Sequence, residues 1–194
     1  KFDTLFSQLV DREKFSGSVI VAQKGVIVYK KSSGFADFSK STPITETIRF
    51  PIASISKTIT ATAILQLSEK GLLNIGDPAN KYLPDFPYPE IAIRHLLSHS
   101  SGLPPYNTYF NPLISADSNR VFVNADMLPA MNSSKAPLVY RPGDNGNYDN
   151  VNYIILALII ERVSKMPYAA YVGKYILRPA GMKQTTYFPL SQQY

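Results

Sequence analysis

The sequence predicts an α+β fold in which a short β-hairpin precedes a mainly helical region. Two β-branched runs in "SGSVIVAQKGVIVYKKSSGFAD" are divided by Gln23-Lys24-Gly25, a pattern typical of two antiparallel strands joined by a tight turn. Later segments at 54–70, 92–99 and 150–165 repeat Ala, Leu and Ile at helical spacing. These two patterns together indicate the α+β class.

The first elements of the chain follow in order. Apolar side chains at Leu5, Phe6, Leu9 and Val10 predict a short N-terminal helix within residues 4–13. The hairpin comes next. A lone hairpin is not stable by itself and needs further strands or a packed helix. We therefore expect the sheet to be incomplete in this chain.

The rest of the chain predicts a second region. We expect residues 1–50 to form a helix-and-hairpin subdomain, 51–187 a mainly helical subdomain, and 188–194 a truncated end that leads to missing strands. Within the helical part, residues 74–89 and 104–142 are proline-punctuated and predict long connections. Such connections usually border functional sites.

Composition excludes several classes of protein. Of the 194 residues, 45% are apolar and 18% charged, which indicates a folded chain. The absence of cysteine rules out a disulfide framework and a thiolate nucleophile. The net charge of +6 is scattered, with no run beyond Lys30-Lys31, so we expect no nucleic-acid partner. The longest apolar run, Ile154 to Ile160, is too short to span a membrane.

One helix start contains a feature that helix stability does not favour. In "FPIASISKTITATAILQLSEKG", Ser54 occupies the expected N-cap position and Lys57 falls in the first turn. A cation there opposes the helix macrodipole, at a cost of about 0.3–1 kcal/mol. The apolar residues between 59 and 65 indicate a buried helix, so desolvation also disfavours the ammonium. Both effects favour a neutral amine that accepts a proton.

The spacing of three places Ser54 and Lys57 on one face of this helix. The helix start also presents N–H groups to negative charge. Serine as nucleophile and lysine as base is therefore the functional interpretation. The alternative is an N-cap serine beside a lysine that extends into solvent. Ser56 is one residue too close to share the face of Lys57, which predicts a supporting or packing role.

A second candidate cluster lies in "RPGDNGNYDNVNYIILALIIERVSK", where Tyr148-Asp149-Asn150 comes just before or at the start of a buried helix. The structural alternative makes Asn150 or Asp149 an N-cap and Tyr148 a core aromatic. A second Tyr-x-Asn triplet at 109–111 shows that the pattern is weak by itself.

His95 and His99 stand four residues apart, as do the zinc ligands on the helix of some proteases. The residues after His95 are Leu96 and Leu97, so the general-base Glu of those proteases is absent. No third ligand is evident. We therefore expect no metal, and we interpret both histidines as structural or loop-anchoring.

From Phe15 to Tyr187 the chain resembles the serine β-lactamase-like family, which includes class C β-lactamases, penicillin-binding D-alanyl-D-alanine carboxypeptidases and related esterases. Five blocks in the same order are more specific than any one motif. They are "SGSVIVAQKGVIVYKKSSGFAD", "FPIASISKTITATAILQLSEKGLLNIGDPANKYLPDF", "IAIRHLLSHSSGLPPY", "RPGDNGNYDNVNYIILALIIERVSK" and "YILRPAGMKQTTY".

The resemblance implies a β-lactamase/transpeptidase-like fold and a set of site residues. Ser54 corresponds to the acylated serine and Lys57 to its partner. Tyr148 shares proton transfer with Lys57, which lowers the pKa of its phenol, and Asn150 binds the substrate amide and holds Lys57 in place. Tyr106, with the residues at 109 and 110, lies where family members shape the substrate cleft, and it forms either cleft wall or ordinary packing.

The implied activity is that of a serine hydrolase which forms an acyl-enzyme on a β-lactam, a D-alanyl peptide or a small ester, without a cofactor. The alternative is a non-catalytic penicillin- or peptidoglycan-binding sensor or structural domain of the same fold. The family also implies a periplasmic or secreted location.

The sequence departs from the family in one respect. Members have a third motif, Lys or His followed by a small residue and Gly, on a strand beside the site, and no such triplet follows Tyr148. We therefore expect this chain to be the N-terminal portion of the fold, completed by a C-terminal segment. We also expect it to be poorly active alone, because loss of one oxyanion donor lowers rates by about 10²–10³.

Overall fold

The computed structural model describes residues 1–12 and 14–187. The chain divides into two compact units, one spanning Lys1–Pro51 and the other beginning at Ile52. The end predicted at 188–194 lies outside the described residues. Among the helices that are described, none is long and apolar enough to cross a membrane.

The first unit begins with the predicted helix and hairpin. Helix α1 (Phe2–Asp11) is followed by β1 (Gly17–Gln23) and β2 (Val26–Ser33), which pair antiparallel. The turn between the strands is formed by Lys24 at φ 51° and Gly25 at φ 80°. Positive φ at both central residues matches the right-handed twist of the strands, so a two-residue turn closes the hairpin.

Aromatic side chains join α1 to the hairpin. The rings of Phe2 and Phe6 lie 5.4 and 5.7 Å from the ring of Tyr29 on β2. The Tyr29 hydroxyl donates to the Asp3 carboxylate at 3.2 Å. Helix α1 is thus the packed helix that a two-stranded hairpin needs.

A second two-stranded sheet follows that the sequence did not predict. It pairs β3 (Phe35–Asp37) with β4 (Thr42–Pro43). Strands of three and two residues are too short to show an alternating pattern. The stretch from residue 39 to 51 therefore resembles a turn-rich connection in sequence.

The second unit is helical. Its α-helices are α2 (Ser56–Glu69), α3 (Ile93–Leu97), α4 (Tyr106–Ala116), α5 (Met127–Ser134), α6 (Asn150–Ser164) and α7 (Tyr168–Val172), which continues as a π-helical turn, Gly173–Leu177. Helix α6 is the central one, and it packs against α2, α3, α5 and α7. Its residues Val151, Asn152 and those from Ile155 to Ile160 are buried.

Helix α2 buries one side and leaves its start exposed. Thr60, Ala63, Ile64 and Leu67 are buried against the core of the second unit. Ser54, which precedes the helix, is exposed. The buried helix expected from the sequence is therefore buried only from its second turn onward.

The segment 104–142, predicted as a long connection, contains α4 and α5. That prediction was wrong because proline usually indicates a loop, whereas here two prolines lie within helices. Pro112 lies inside α4, and Pro129 lies in the first turn of α5, where a missing N–H removes no helical hydrogen bond. Buried aromatic side chains at positions 109 and 110 hold α4 against the core.

Candidate active site

The backbone at Ser54 differs from a simple helix start. Ser54 lies in a 3₁₀ turn, Ala53–Ile55, and α2 begins after it with Ile55 at the N-cap position and no side-chain cap. The expected N-cap role of Ser54 is therefore wrong. Ala53 has φ +43°, a left-handed conformation that is strained for a residue with a Cβ and that is concentrated at functional sites.

Four predicted residues come together around the Ser54 hydroxyl. The Lys57 ammonium donates to Ser54 Oγ at 3.1 Å and to Asn150 Oδ1 at 2.8 Å. The Tyr148 hydroxyl donates to Ser54 Oγ at 2.6 Å. Packing of α2 against α6 brings the two motifs together although 94 positions separate Ser54 from Tyr148.

The sequence left Asn150 or Asp149 as the N-cap of α6, and the structure shows that it is Asp149. Its Oδ1 accepts from the Val151 N–H at 2.8 Å. Its Oδ2 accepts from the Tyr106 N–H at 3.1 Å, at the start of α4. Because Asp149 caps the helix, the Asn150 amide oxygen is available to Lys57.

The electrostatics of the cluster act on Tyr148. Its side chain is 58% exposed. The pKa of the Tyr148 phenol is lowered from its ordinary value, first by the hydrogen-bonding Lys57 ammonium and then by the bond with Ser54. The Lys57 Nζ lies 5.0 Å from the centre of the Tyr148 ring. A phenol with a lowered pKa forms its phenolate more readily, and a phenolate in this position can accept the serine proton.

Comparison with known proteins identifies the family. The sequence profile of the Beta-lactamase family matches residues 2–193. The chain belongs to the Beta-lactamase family. The membership expected from the five sequence blocks is confirmed, although the match does not assign a role to any residue.

Several relatives are bacterial penicillin-binding proteins. Penicillin-binding protein 4* of Bacillus subtilis is 38% identical over 182 residues, which are 94% of this chain and 40% of that protein. The putative penicillin-binding protein PbpX of the same organism is 33% identical, over 90% of this chain and 42% of that protein. The chain thus spans about two fifths of the length of these relatives.

Solved structures confirm the predicted fold. The penicillin-binding protein of Bacillus halodurans superposes with a TM-score of 0.81 at 31% identity, over 97% of this chain and 57% of that one. The D-amino acid amidase of Ochrobactrum anthropi SV3, complexed with L-phenylalanine amide, gives 0.76 at 27% identity, over 95% and 51%. The α+β prediction and the Beta-lactamase family fold therefore agree.

A loop that the sequence reasoning did not assign to the site supports Tyr148 in this Beta-lactamase family chain. Backbone carbonyls of the "HSSG" stretch accept N–H groups from the segment before Tyr148. The pairs are Asn147 to His99, Gly143 to Ser100 and Val139 to Gly102, each at 2.8 Å. Gly102 has φ +75°, and a Cβ there would lie 2.0 Å from the Tyr140 carbonyl oxygen, so only glycine fits. This loop is part of the block "IAIRHLLSHSSGLPPY", one of the five on which the family resemblance rests, so the resemblance could have directed attention to it.

The two histidines have different surroundings. His95 Nδ1 accepts from the Ala92 N–H at 3.2 Å, within the start of its own helix. The His99 ring lies 4.6 Å from the Tyr148 ring. Within residues 1–12 and 14–187 no group of three His, Cys, Asp or Glu side chains is placed to hold a metal ion.

The second Tyr-x-Asn triplet belongs to the core. Tyr109 is 1% exposed, its hydroxyl lies 3.1 Å from that of Tyr88, and burial raises the pKa of its phenol. Phe110 is buried as well, while Tyr106 is exposed and stacks on it at 4.7 Å. Of these three aromatic residues, Tyr106 is the one that remains available as a cleft wall.

Proposed function

We propose that this chain is the serine-bearing part of an acyl-transfer hydrolase, with Ser54 as nucleophile. The observation that supports it is the double contact on Ser54 Oγ, from the Tyr148 hydroxyl at 2.6 Å and the Lys57 ammonium at 3.1 Å. Nucleophile and base within hydrogen-bond reach, with a third group that orients the base, is the arrangement of an activated serine. Asn150 supplies the orienting contact through its bond to Lys57.

The reaction would proceed in two acyl-transfer steps. Ser54 Oγ attacks the substrate carbonyl carbon while its proton passes to Tyr148 or Lys57. The developing oxyanion would lie beside the start of α2, where the helix dipole favours negative charge. The carbon–nitrogen or carbon–oxygen bond then breaks, the leaving group takes the proton, and water releases the acyl group from Ser54.

The relatives support an amide or ester substrate. Relatives named penicillin-binding proteins favour a β-lactam or a D-alanyl peptide. The D-amino acid amidase, at 27% identity, favours an amide more broadly. A small ester completes the proposed substrate class. Because peptidoglycan lies outside the cytoplasmic membrane, these relatives also favour a periplasmic or secreted location.

Intact-protein mass spectrometry over time, with a penicillin and with an activated ester, tests this proposal. Both reagents should add one acyl group, and digestion should place it on Ser54. Ser54→Ala should remain unlabelled. The matched control is Ser56→Ala, because Ser56 Oγ donates to the Ala53 carbonyl at 2.6 Å. That variant should label like the parent chain.

The reaction should be run on the 194-residue chain and on a form extended at its C-terminus, because the relatives are longer than this chain. No label in either form would refute the proposal. A label that stays on Ser54 for hours would favour the sensor function over hydrolysis. A label found equally in Ser54→Ala would show that the serine is not the nucleophile.

A further inference from the structure

A hydrogen-bonded cluster lies behind Tyr148, and the proposed reaction does not use it directly. Asn152 and Ser101 are 1% and 2% exposed. The Ser101 hydroxyl donates to Asn152 Oδ1 at 2.6 Å, and the Asn152 amide nitrogen faces His99 Nδ1 at 3.3 Å. Buried polar side chains that satisfy one another fix a single arrangement of the chain.

The bonding pattern fixes the tautomer of His99. Because Ser101 occupies the Asn152 oxygen, the Asn152 amino group must be the part that faces the imidazole, and an amino group can only donate. The Asp149 N–H also points at His99 Nδ1, at 3.3 Å. A ring nitrogen that receives two donors bears no proton. His99 is therefore a neutral imidazole with its hydrogen on Nε2.

His99 contacts three successive residues of the Tyr148 segment. Its backbone carbonyl accepts the Asn147 N–H at 2.8 Å, and its Nδ1 accepts the Asp149 N–H. Tyr148 stands between these two residues in the sequence, and its ring lies 4.6 Å from the His99 ring. The backbone of His99 is held at φ +55°, so its carbonyl and its ring face the same segment.

We propose that His99 is a positioning residue that, through its unprotonated Nδ1 and its carbonyl, holds the segment on both sides of Tyr148 and so aims the phenol at Ser54. Its catalytic consequence rests on the proposed function, because it acts through Tyr148. The structural part of the proposal, the placement of the phenol, does not depend on turnover.

Burial, more than the surrounding charges, keeps the His99 imidazole neutral near pH 7. Burial lowers the pKa of its imidazole most, and the Lys57 ammonium on α2 lowers it further, while the Asp149 carboxylate before α6 acts in the opposite direction. The Tyr148 and Tyr153 rings are its aromatic neighbours. A protonated Nδ1 would be a donor that faces two other donors, the Asp149 N–H and the Asn152 amino group. Because the pKa of His99 is lowered, acid should loosen the cluster only at a pH below the ordinary pKa of histidine.

The test compares His99→Ala with His99→Asn. An asparagine side chain places its oxygen close to the position of Nδ1, and asparagine tolerates the left-handed backbone better than most residues. The matched control is His95→Ala, which removes the neighbouring histidine together with its hydrogen bond to the Ala92 N–H. Circular dichroism checks folding, and if His99→Ala does not fold, His99→Gln replaces it as the variant without an acceptor at Nδ1.

The first measurement is the phenol titration of Tyr148 by ¹³C NMR, assigned with Tyr148→Phe. The parent chain, His99→Asn and His95→Ala should titrate below the ordinary value, and His99→Ala should return towards about 10 because the contacts to Ser54 and Lys57 loosen. The second measurement is the acylation rate of Ser54 by an activated ester. His99→Ala should lose at least about tenfold, and His99→Asn should recover to within about threefold of the parent.

An unchanged Tyr148 titration in His99→Ala would overturn the proposal, as would an equal shift in His99→Asn, since the acceptor would then have no role. An equal shift in His95→Ala would show a general structural effect instead. If the titration moves as expected and neither the parent chain nor its C-terminally extended form is acylated, the proposed function fails while the positioning role stands.

Discussion

Replacement of Tyr148 by phenylalanine separates a contribution to catalysis from one to stability. The change removes a single oxygen, the one that donates to Ser54 Oγ at 2.6 Å, and leaves the ring in place. The side chain is 58% exposed, so the hydroxyl is not buried in the fold. The variant should therefore fold normally and lose activity.

The expected magnitudes follow from these contacts. A positioned proton-transfer group contributes about 10²–10⁴-fold to a rate, and the acylation of Ser54 should fall by that factor. The melting temperature should stay within about 2 °C, because an exposed hydroxyl contributes little to the free energy of unfolding.

Tyr153→Phe is the matched control. Tyr153 lies one turn into α6, its ring is 5.8 Å from Lys57 Nζ, and its hydroxyl donates to the Leu97 carbonyl at 3.1 Å. Loss of this half-buried bond should cost about 1 kcal/mol, or about 2–4 °C in melting temperature for a chain of this size. Its acylation rate should stay within about threefold of the parent, because the hydroxyl bonds to the Leu97 carbonyl rather than to Ser54.

The assay is the single-turnover rate of acylation by an activated ester, with melting followed by circular dichroism on the same samples. The two variants should show opposite patterns: a slow but stable Tyr148→Phe, and an active but less stable Tyr153→Phe. If Tyr148→Phe acylates within threefold of the parent, or if both variants lose rate equally, then the phenol is not a proton-transfer group.

Three further predictions concern the same region. Lys57→Met should raise the pKa of the Tyr148 phenol towards its ordinary value, because Lys57 is the main cause of the lowering, and ¹³C titration should show phenolate forming only at higher pH. Gly102→Ala should destabilise the chain at least twice as much as Gly71→Ala, as measured by urea unfolding. Both glycines have positive φ, which costs alanine about 1–2 kcal/mol. A Cβ at Gly71 would meet open space, whereas one at Gly102 would meet backbone atoms. Asp149→Ala should lower the free energy of unfolding by about 0.5–2 kcal/mol through loss of its N-cap, whereas Asp149→Asn should retain most of it.

The sequence predicted the elements that follow a simple period. The ends of helices α1, α2 and α6 lie within two residues of their predicted bounds, and the hairpin turn falls at Lys24 and Gly25. The candidate site residues were also predicted: a lysine in a first turn drew attention to Ser54 and Lys57, and the family resemblance added Tyr148 and Asn150. Their roles remain predictions.

The remaining elements depend on tertiary contacts that a local pattern does not contain. Helix α4 forms around Pro112 because buried aromatic side chains hold it to the core, and propensity alone favours a loop there. The contacts of His99 were equally hidden, since its partners stand about fifty positions away. The sequence indicated a loop-anchoring histidine, and only the fold shows which loop it anchors.

The structure also explains why a cation is tolerated at the start of α2. Lys57 is the second residue of α2 and it bonds to Asn150, the first residue of α6, so two helix N-termini meet at this ammonium. Each opposes a cation by about 0.3–1 kcal/mol. The Asn150 oxygen and the rings of Tyr148 and Tyr153, at 5.0 and 5.8 Å, offset this cost, with each such ring contact contributing about 0.5–1 kcal/mol at exposed sites. The same two N-termini favour negative charge, and in the proposed acyl transfer the phenolate and the oxyanion would form beside them. A site that holds its cation by local contacts and stabilises anions by helix ends is therefore suited to an acyl transfer in which Ser54 gives up a proton.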